Sequence, residues 1–530
     1  MDRYHSPQRS AISKESAQIL RALKRRLTSP DVAEVLAGIE LLRGLDAPEV
    51  FDTLLDGVQL AKAFAADGPA EALGQVFKGV KAPKRTLARW ALAWILCTAP
   101  DQGLAGTLRE RLRDLRLQYE PEMAALPVPP FGRLPALEGL WVVGLPCADL
   151  TFLEGAGRLR SLNLEYCHAL ERLDGIDACP GLLLLEISAT TGHCDLVDLE
   201  PLRGCVGLKT LHIACRTVAL RSLSGLDACK ELSSLRLYSC PNLSDYGPLA
   251  GLVELQDGLT VSSNAPVRDL GFVSRLQKLT QLRLKLAPGA DLGPLLRLVG
   301  LKTCYLTLPA SDSDTELDLS ALRHVQDLDV RQPGLPESAG VLEWNGELPA
   351  IEKLYLKGPQ HLDGLCAPKL RSLWIDGGRI GDFRAMPALK AMGLKTTVRS
   401  FDGAERWSFS SLDLRNCTFA CGLGPVARIS GLTTLLLPSH VTPDQLCSLG
   451  NGHAIESLTL APGFTGSLEF LNGWSTLWVL VLIGSGSLTE IDVLTQLPAL
   501  ETVYLRESAV VRADFPPSLS PKLDYRLLNV

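Results

Sequence analysis

The sequence lacks an excess of charge of either sign. Its 530 residues include 53 Lys and Arg against 59 Asp and Glu, which gives a formal net charge of −6. A protein dedicated to nucleic acid carries a strongly basic face, and this balance provides none. The 46% of hydrophobic residues is typical of a folded chain. We therefore expect a folded protein without a nucleic-acid partner.

Also missing is an apolar run long enough to cross a bilayer. The most apolar window is residues 90–97, far shorter than the stretch of about 20 residues that a membrane-spanning helix needs. The first residues, Met1–Ser6, lead into polar sequence without the apolar stretch of a secretory signal. We expect neither membrane insertion nor secretion.

The motifs that carry catalysis or hold a metal are absent as well. The sequence contains no H-E-x-x-H, no phosphate-binding loop ending in Gly-Lys-Ser/Thr and no Gly-x-Ser-x-Gly. His212 with Cys215, and His193 with Cys194, lack the paired ligands of a closed zinc site. We expect no enzymatic activity, no metal and no cofactor.

What the sequence has instead is a repeated phrase, L-x-x-L-x-[LIV], of which residues 159–164 are one copy. Most copies are 22–24 residues apart, and those between 351 and 409 are 19–20 apart. A fixed period of this kind predicts a solenoid whose units pack only on their neighbours. The first leucine-like positions of the seventeen copies are 137, 159, 182, 208, 232, 255, 279, 301, 325, 351, 370, 389, 409, 432, 455, 477 and 500.

This phrase resembles the leucine-rich repeat family, whose pattern is L-x-x-L-x-L-x-x-[N/C], over about 70% of the chain. The ninth position is cysteine at Cys167, Cys240 and Cys417 and departs from Asn or Cys in most other copies. The resemblance implies an α/β solenoid: a curved leucine-rich-repeat array with a parallel β-sheet on its concave face. On the convex side, segments such as 173–179 and 223–229 are expected to form short 3₁₀ turns or one-turn helices.

The rest of the chain divides at changes of period. Residues 1–126 show helical periodicity and are predicted to form an α-helical domain that caps the solenoid; residues 28–58 resemble a HEAT-like helix pair. Residues 127–136 are predicted to be a proline-rich linker, 137–510 the solenoid of about 17 repeats, and 511–530 a C-terminal cap. The last predicted helical stripe runs through Leu104, Leu108, Leu112 and Leu115.

The fourteen cysteines recur at internal positions of the repeat rather than in pairs. Cys179, Cys205 and Cys229 each lie three residues before the next phrase. A cysteine at a recurring internal position is a small apolar filler. We therefore predict a reduced, cytoplasmic protein.

One face of the predicted sheet should carry the binding chemistry. Side chains alternate along a strand, so the residues beside the second leucine and after the third point to the concave face. In the middle of the array they combine aromatic rings with both signs of charge, the types that dominate binding hot spots. The predicted partner-binding residues are Arg236, Tyr238, Arg283, Lys285, Tyr305, Asp327, Asp329, Arg331, Lys353, Tyr355, Lys357, Trp374 and Asp376.

Alternatives remain open at this stage. Aromatic residues on a strand also serve cross-strand packing, and charges there can be merely solvated. A second, aliphatic stretch on the same face is a further contact site, a self-association surface or an error of register. It consists of Leu436, Val479, Val481 and Ile483.

These observations predict a non-enzymatic scaffold that recognises a protein partner on the concave face of its repeats. The alternative is a sensor whose repeats recognise a ligand while the N-terminal helical domain engages or regulates an effector enzyme. The partner's identity, the pathway and the oligomeric state do not follow from the sequence.

Overall fold

In the computed structural model the chain forms two compact units, residues 1–265 and 266–530. The predicted N-terminal helical domain lies, except for isolated positions between residues 17 and 110, outside the residues that the structure describes. These are residues 112–123, 128–194, 196–262, 266–309, 315–332, 341–450, 454–460, 463–506 and 515–524.

Unit 1 is built on parallel strands, one for each repeat, that pair in chain order. The second and third leucines of each phrase point inward, and Leu162 and Leu164 have no exposed surface. The period of two in the phrase thus fixes which side chains form the core. The strands are β1 (Asp114–Gln118), β2 (Gly139–Val143), β3 (Ser161–Glu165), β4 (Leu184–His193), β5 (Thr210–Arg216), β6 (Ser234–Tyr238) and β7 (Gly258–Ser262).

The returning segments of unit 1 are short 3₁₀ helices, as the sequence predicts for residues 173–179 and 223–229. Gly175 precedes one of them with φ of 97°, and an added Cβ would clash with the carbonyl oxygen of Leu150. Only glycine takes this conformation without strain. The 3₁₀ helices are Pro121–Met123, Phe131–Arg133, Thr151–Leu153, Ile176–Ala178, Glu200–Gly204, Leu226–Ala228 and Gly247–Gly251.

The stack of strands starts earlier than we expected. Strand β1 pairs with β2 from Asp114↔Gly139 to Gln118↔Val143, so the helical stripe predicted through Leu112 and Leu115 is wrong. The leucine spacing fits both a helix face and the phrase, because residues 112–117 read Leu-Arg-Asp-Leu-Arg-Leu. The segment expected to be a linker contains a 3₁₀ helix whose Phe131 is fully buried.

Unit 2 continues the pattern, and all seventeen predicted phrases lead into a strand. The strands of unit 2 are β8 (Gln281–Lys285), β9 (Thr303–Thr307), β10 (Thr315–Asp318), β11 (Asp327–Arg331), β12 (Leu342–Glu347), β13 (Lys353–Lys357), β14 (Gln360–Cys366), β15 (Ser372–Ile380), β16 (Ala391–Val398), β17 (Ser411–Asp413), β18 (Thr418–Phe419), β19 (Thr434–Leu437), β20 (Ser457–Leu460), β21 (Gly466–Ser467), β22 (Val479–Ile483), β23 (Leu488–Thr489), β24 (Thr502–Arg506) and β25 (Leu523–Asp524). We call the strand that begins within each phrase a repeat strand, together with β1 and β25, which pair with β2 and β24, and we call the other strands return strands.

Return strands replace the expected turns in the middle of unit 2. Strands β10, β12 and β14 pair in parallel, and the second halves of β15 and β16 continue this ladder to β18. The prediction of turns or one-turn helices is wrong for these repeats. In the repeats of 19–20 residues, which contain β14 and the second halves of β15 and β16, an extended return covers the distance that a helix of the same length would not, since a strand rises about 3.3 Å per residue.

The remaining elements of unit 2 are short helices and a last strand. The tail that we predicted to be a cap adds strand β25, which pairs with β24 through Val503↔Leu523. No described helix has the length and apolarity needed to cross a bilayer. The 3₁₀ helices are Gly271–Arg275, Gly293–Arg297, Leu319–Leu322, Ala404–Arg406, Glu469–Leu471, Ile491–Gln496 and Pro517–Lys522, and the α-helices are α1 (Gly424–Ala427) and α2 (Pro443–Cys447).

Candidate functional site

Two of the predicted binding residues, Arg236 and Tyr238, lie on β6 of unit 1. The Tyr238 ring meets the His212 ring edge to face at 5.5 Å between centroids. His212 Nδ1 lies 3.1 Å from Glu186 Oε1, and Asn163 Nδ2 donates to Glu186 Oε2 at 3.0 Å. These contacts link Tyr238 to polar side chains on three neighbouring strands, Asn163, Glu186 and His212, which the sequence analysis left outside its candidate site.

The other predicted residues lie on neighbouring repeat strands of unit 2. Successive register partners place Tyr305, Tyr355 and Trp374 in one row, with Arg283 before Tyr305 and Asp329 between the tyrosines. The predicted alternation of side chains is thus confirmed, and these residues form one surface. We call it the central strip: Arg283, Lys285, Tyr305, Asp327, Asp329, Arg331, Lys353, Tyr355, Lys357, Trp374 and Asp376.

Arginines hold both tyrosines of the central strip. The Arg283 Cζ lies 4.3 Å from the centroid of the Tyr305 ring, and the Arg331 Cζ lies 5.0 Å from that of Tyr355. Arg331 also donates from Nε and Nη2 to the two oxygens of Asp329 at 2.8 and 2.7 Å. A bidentate guanidinium stacked on an aromatic ring has little freedom, so this part of the strip is preorganised.

The carboxylates and the phenol of the strip are electrostatically coupled. Burial raises the pKa of Asp327, and Lys353, whose Nζ is 3.9 Å from Asp327 Oδ2, opposes that rise. Burial also raises the pKa of Tyr305, and the charges of Asp327 and Asp329 add to the rise while Arg283 opposes it. Tyr305 therefore remains a neutral phenol, a hydrogen-bond donor, throughout the physiological range.

Trp374 is the exposed aromatic of the central strip, with 51% of its surface accessible. Its indole lies against Gly393, its register partner on β16. A Cβ at position 393 would overlap the indole ring. The glycine thus leaves the space that the indole occupies.

A cavity of about 290 Å³ opens beside Trp374. Strand β16 pairs with β15 along residues 391–395, but its described pairing with the next repeat is limited to Thr397 and Val398 with β18. The ladder of repeat strands resumes with β17 and β19. We call the opening the wedge cavity; it is lined by Tyr355, Trp374, Ile375, Asp376, Met392, Gly393, Leu394, Lys395, Asp413 and Asn416.

The rim of the wedge cavity is charged. Asp376 lies 3.2 Å from Lys395 Nζ and 4.0 Å from Lys357 Nζ. Asp413 accepts from Arg415 Nε and Nη2, the latter at 2.8 Å. Partial burial alone would raise the pKa of Asp413, but the hydrogen bonds from Arg415 outweigh it and the pKa is lowered. The cavity thus combines an apolar floor with ion-paired edges, as binding pockets do.

The aliphatic stretch lies on the same face as predicted. Leu436, Thr459, Val481 and Tyr504 are successive register partners, and Leu436, Val479, Val481 and Ile483 are all partly exposed. The register was therefore correct, and a second contact site or a self-association surface remains. Among the described residues, no group of three or more His, Cys, Asp or Glu side chains is placed to hold a metal ion.

One parallel strand per L-x-x-L-x-[LIV] phrase, with the leucines buried, decides the fold. It is a leucine-rich-repeat solenoid. No family model and no curated protein matches the chain.

Several solved structures are similar to this chain. An internalin (inlF) from Listeria monocytogenes is 16% identical, with a TM-score of 0.45, over 73% of this chain and 96% of its own. A leucine-rich-repeat protein from Leptospira interrogans is 14% identical, with a TM-score of 0.35, over 82% and 97%. The ectodomain of the Arabidopsis receptor kinase HAESA, solved with a peptide hormone, is 15% identical, with a TM-score of 0.35, over 84% and 78%.

Proposed function

We propose that this chain is a non-enzymatic recognition scaffold that binds a protein partner on the exposed face of its repeat strands, the face predicted to be concave. The contact area is the central strip together with the wedge cavity. The observation that carries the proposal is Trp374, half exposed and resting on Gly393 at the mouth of a cavity. An exposed aromatic ring held against the sheet beside an apolar cavity offers a partner a large contact area.

The energetics of binding favour this arrangement. Buried interface tryptophans, tyrosines and arginines each contribute 2 kcal/mol or more at hot spots. A partner gains most when these side chains are already ordered, because no rotamer entropy is lost on binding. Arg331 fixed on Asp329, and Arg283 stacked on Tyr305, are ordered before any partner arrives.

A triple variant, Tyr305→Ala with Tyr355→Ala and Trp374→Ala, tests the proposal. We expect it to keep its fold, since the three side chains lie on the sheet surface, and to lose the partner, since about 2 kcal/mol per anchor exceeds what a typical complex can lose. The measurement is affinity capture from native cytosol with mass spectrometry, beside the wild-type protein and a Trp478→Ala control. Trp478 is equally exposed, at 50%, and lies outside the central strip. Identical captures from wild type and triple variant would overturn the proposal.

We also propose that the protein works in a reducing compartment, as a cytoplasmic protein would. All fourteen cysteines are free thiols and most are buried. Burial raises the pKa of the Cys167, Cys205 and Cys304 thiols to about 12. A thiol that stays protonated is a poor nucleophile, so these cysteines act as apolar filler.

A second function, a sensor whose N-terminal helical domain engages an effector, has one supporting contact. The indole of Trp90 donates to the Tyr119 hydroxyl at 3.0 Å, and both side chains are buried. Tyr119 directly follows β1, so Trp90 in the N-terminal region contacts the first strand of the ladder. Binding of a distinct partner by residues 1–111, in the full chain and insensitive to the triple variant, would support this function; its absence would remove it.

A further inference from the structure

The exposed face of the repeat strands in unit 2 carries the opposite charge to the chain as a whole. The three outward-facing positions of each repeat strand from β8 to β17, with Arg415 just after β17 as the last, give seven basic side chains and four acidic ones, a net charge of +3, whereas the chain carries −6. The equivalent positions of β1 to β7 in unit 1 give −1. The basic side chains of unit 2 are Arg283, Lys285, Arg331, Lys353, Lys357, Lys395 and Arg415.

One edge of this face adds to the excess. The residue before each repeat strand is exposed at Lys302, Arg371 and Lys390, and only Glu352 opposes them. This face is therefore positive although the chain as a whole is negative, so its charge does not follow from the overall composition. Such a field accelerates encounter with a partner of the opposite sign and disfavours a partner of the same sign.

The acidic groups of the face are already engaged by neighbouring cations. Asp329 is 6% exposed beneath Arg331, and Asp413 is bound by Arg415. Asp376 lies against Lys395 at 3.2 Å. These pairs order the cations around the aromatic row, and the surplus positive charge faces outward.

The dimensions fix the length of an occupant. From Arg283 to Gly393 the central row crosses six repeat strands, or about 24 Å at the spacing of about 4.8 Å between parallel strands. An extended peptide covers this distance with about seven or eight residues. At the Gly393 end the wedge cavity, of about 290 Å³, has room for one large apolar side chain.

We infer that the occupant of the central strip is an acidic, extended segment of a partner protein, about seven or eight residues long, that places one aromatic or large aliphatic side chain in the wedge cavity. This inference rests on the proposed function and names the chemistry of the partner. Nucleic acid is the less favoured polyanion, because a net charge of +3 on this face is far from the strongly basic surface that nucleic-acid binding requires.

Fluorescence anisotropy with the full chain and labelled synthetic peptides tests the inference. The probes are two peptides of about eight residues, both rich in Glu and Asp. One has a single Trp near its N-terminus and the other has it near its C-terminus, so that both directions of binding are sampled. The comparison probes replace the acids by Lys, replace the Trp by Ala, or are a uridine oligonucleotide. We expect the acidic Trp peptide to bind best, about tenfold more tightly than its Ala version.

A charge-reversal pair provides the matched control. Lys357→Glu with Lys395→Glu should weaken the acidic peptide about tenfold at low salt, with a smaller effect at high salt where charges are screened. Lys209→Glu with Lys230→Glu changes the net charge equally at exposed positions of unit 1 and should leave binding unchanged. Equal weakening by both pairs would show a general effect of charge and overturn the inference.

Other outcomes would also overturn it: preference for the Lys peptide, equal binding of the Ala peptide, tighter binding of the oligonucleotide, or no binding by any peptide. The results distinguish failure of the proposed function from failure of the acidic-segment inference. If the triple variant loses a captured partner and the segment of that partner cross-linked to the strip is basic or neutral, the proposed function stands and only the acidic segment is wrong. If capture is unchanged in the triple variant, the proposed function itself fails.

Discussion

A single missing Cβ shapes the candidate site at the scale of the residue. Gly393 lies under the Trp374 indole, where any larger side chain would overlap the ring. The sequence places a tryptophan and a glycine at matching positions of successive phrases, so their contact follows from the register alone. The sequence does not predict that half of the Trp374 surface is exposed, because this depends on where the strand after β16 lies.

Gly393→Ala should therefore lift the indole from the sheet. We expect binding of the acidic Trp peptide, or of the captured partner, to fall about tenfold, because an anchor that has lost its ordered position contributes less. The unfolding midpoint should change little, since the ring is at the surface. Gly157→Ala, where an added Cβ has nothing within 4 Å, is the control. Unchanged affinity in the Gly393 variant would mean that the position of the indole does not matter.

Two carboxylates of the same face should respond to pH with opposite signs. The pKa of Asp327 is raised above 3.8, because burial disfavours its charged form, so it costs stability once pH exceeds that value. The pKa of Asp413 is lowered below 3.8, because the Arg415 hydrogen bonds outweigh burial, so it contributes stability that is lost as pH falls below that value.

The variants Asp327→Asn and Asp413→Asn test whether the two carboxylates contribute to stability with opposite signs. At neutral pH we expect the first variant to melt at or above the wild-type temperature and the second to melt below it. Both differences should shrink as the pH is lowered until the carboxyls are protonated in folded and unfolded chains alike, and that of Asp413 should persist to lower pH because its pKa is lowered. Thermal unfolding over a pH series gives the answer, and a shift of the same sign in both variants would contradict the assigned environments.

At the scale of the element, the repeat strands could be predicted and the return segments could not. The phrase fixes two buried leucines on each strand, as with Leu162 and Leu164, and a period of two leaves no other arrangement. Between phrases no such pattern exists, so the return strands β12 and β14 were expected to be turns. Strand β1 was missed because its leucines satisfy helical spacing equally well.

The return strands depend on a buried glutamine. Gln360 has no exposed surface; it accepts from Trp344 Nε1 at 3.0 Å and donates to the carbonyl oxygens of Val330 and Lys357 at 3.2 and 3.0 Å. An apolar side chain of similar size would leave the Trp344 Nε1–H without this acceptor and would remove one hydrogen bond from each carbonyl oxygen, although that of Lys357 keeps the bond from the Gln332 N–H. A buried donor left without a partner costs about 1–3 kcal/mol, and each further hydrogen bond lost costs about 0.5–1.5 kcal/mol.

Gln360→Leu should therefore lower the free energy of unfolding by roughly 2–5 kcal/mol, measured by urea denaturation. Gln326→Leu is the control, because that side chain is exposed and its replacement should change stability by less than about 0.5 kcal/mol. A loss in the Gln360 variant no larger than in the control would show that the hydrogen bonds of this side chain do not support the return strands.

At the scale of the molecule, the strip and the wedge cavity differ in how far the sequence reveals them. The row from Arg283 to Trp374 follows from counting positions in successive phrases. The wedge cavity arises where repeats of 19–20 residues give way to longer ones after residue 409, so that β16 pairs with β18 while β17 begins a new ladder. The interruption depends on which strands pair with each other, and no short sequence pattern marks it.

The charge of the strip also becomes visible only when exposed positions are collected across strands. Along the chain, the seven basic residues of the strip and the cavity rim are spread over residues 283–415 and form no contiguous basic segment. The register gathers a net +3 onto one face of a chain that carries −6. This difference in charge is the basis on which we infer that the partner segment is acidic.

The central claim, that a protein partner contacts the central strip beside the wedge cavity, is tested most directly by site-specific photo-cross-linking. A photoreactive phenylalanine analogue is placed at Lys395, on the rim of the wedge cavity, and in a second protein at Lys209 on the exposed surface of unit 1. We predict that illumination in native cytosol joins the protein lost from the triple variant to position 395 and not to position 209. A partner that cross-links only at position 209, or equally at both, would contradict the account.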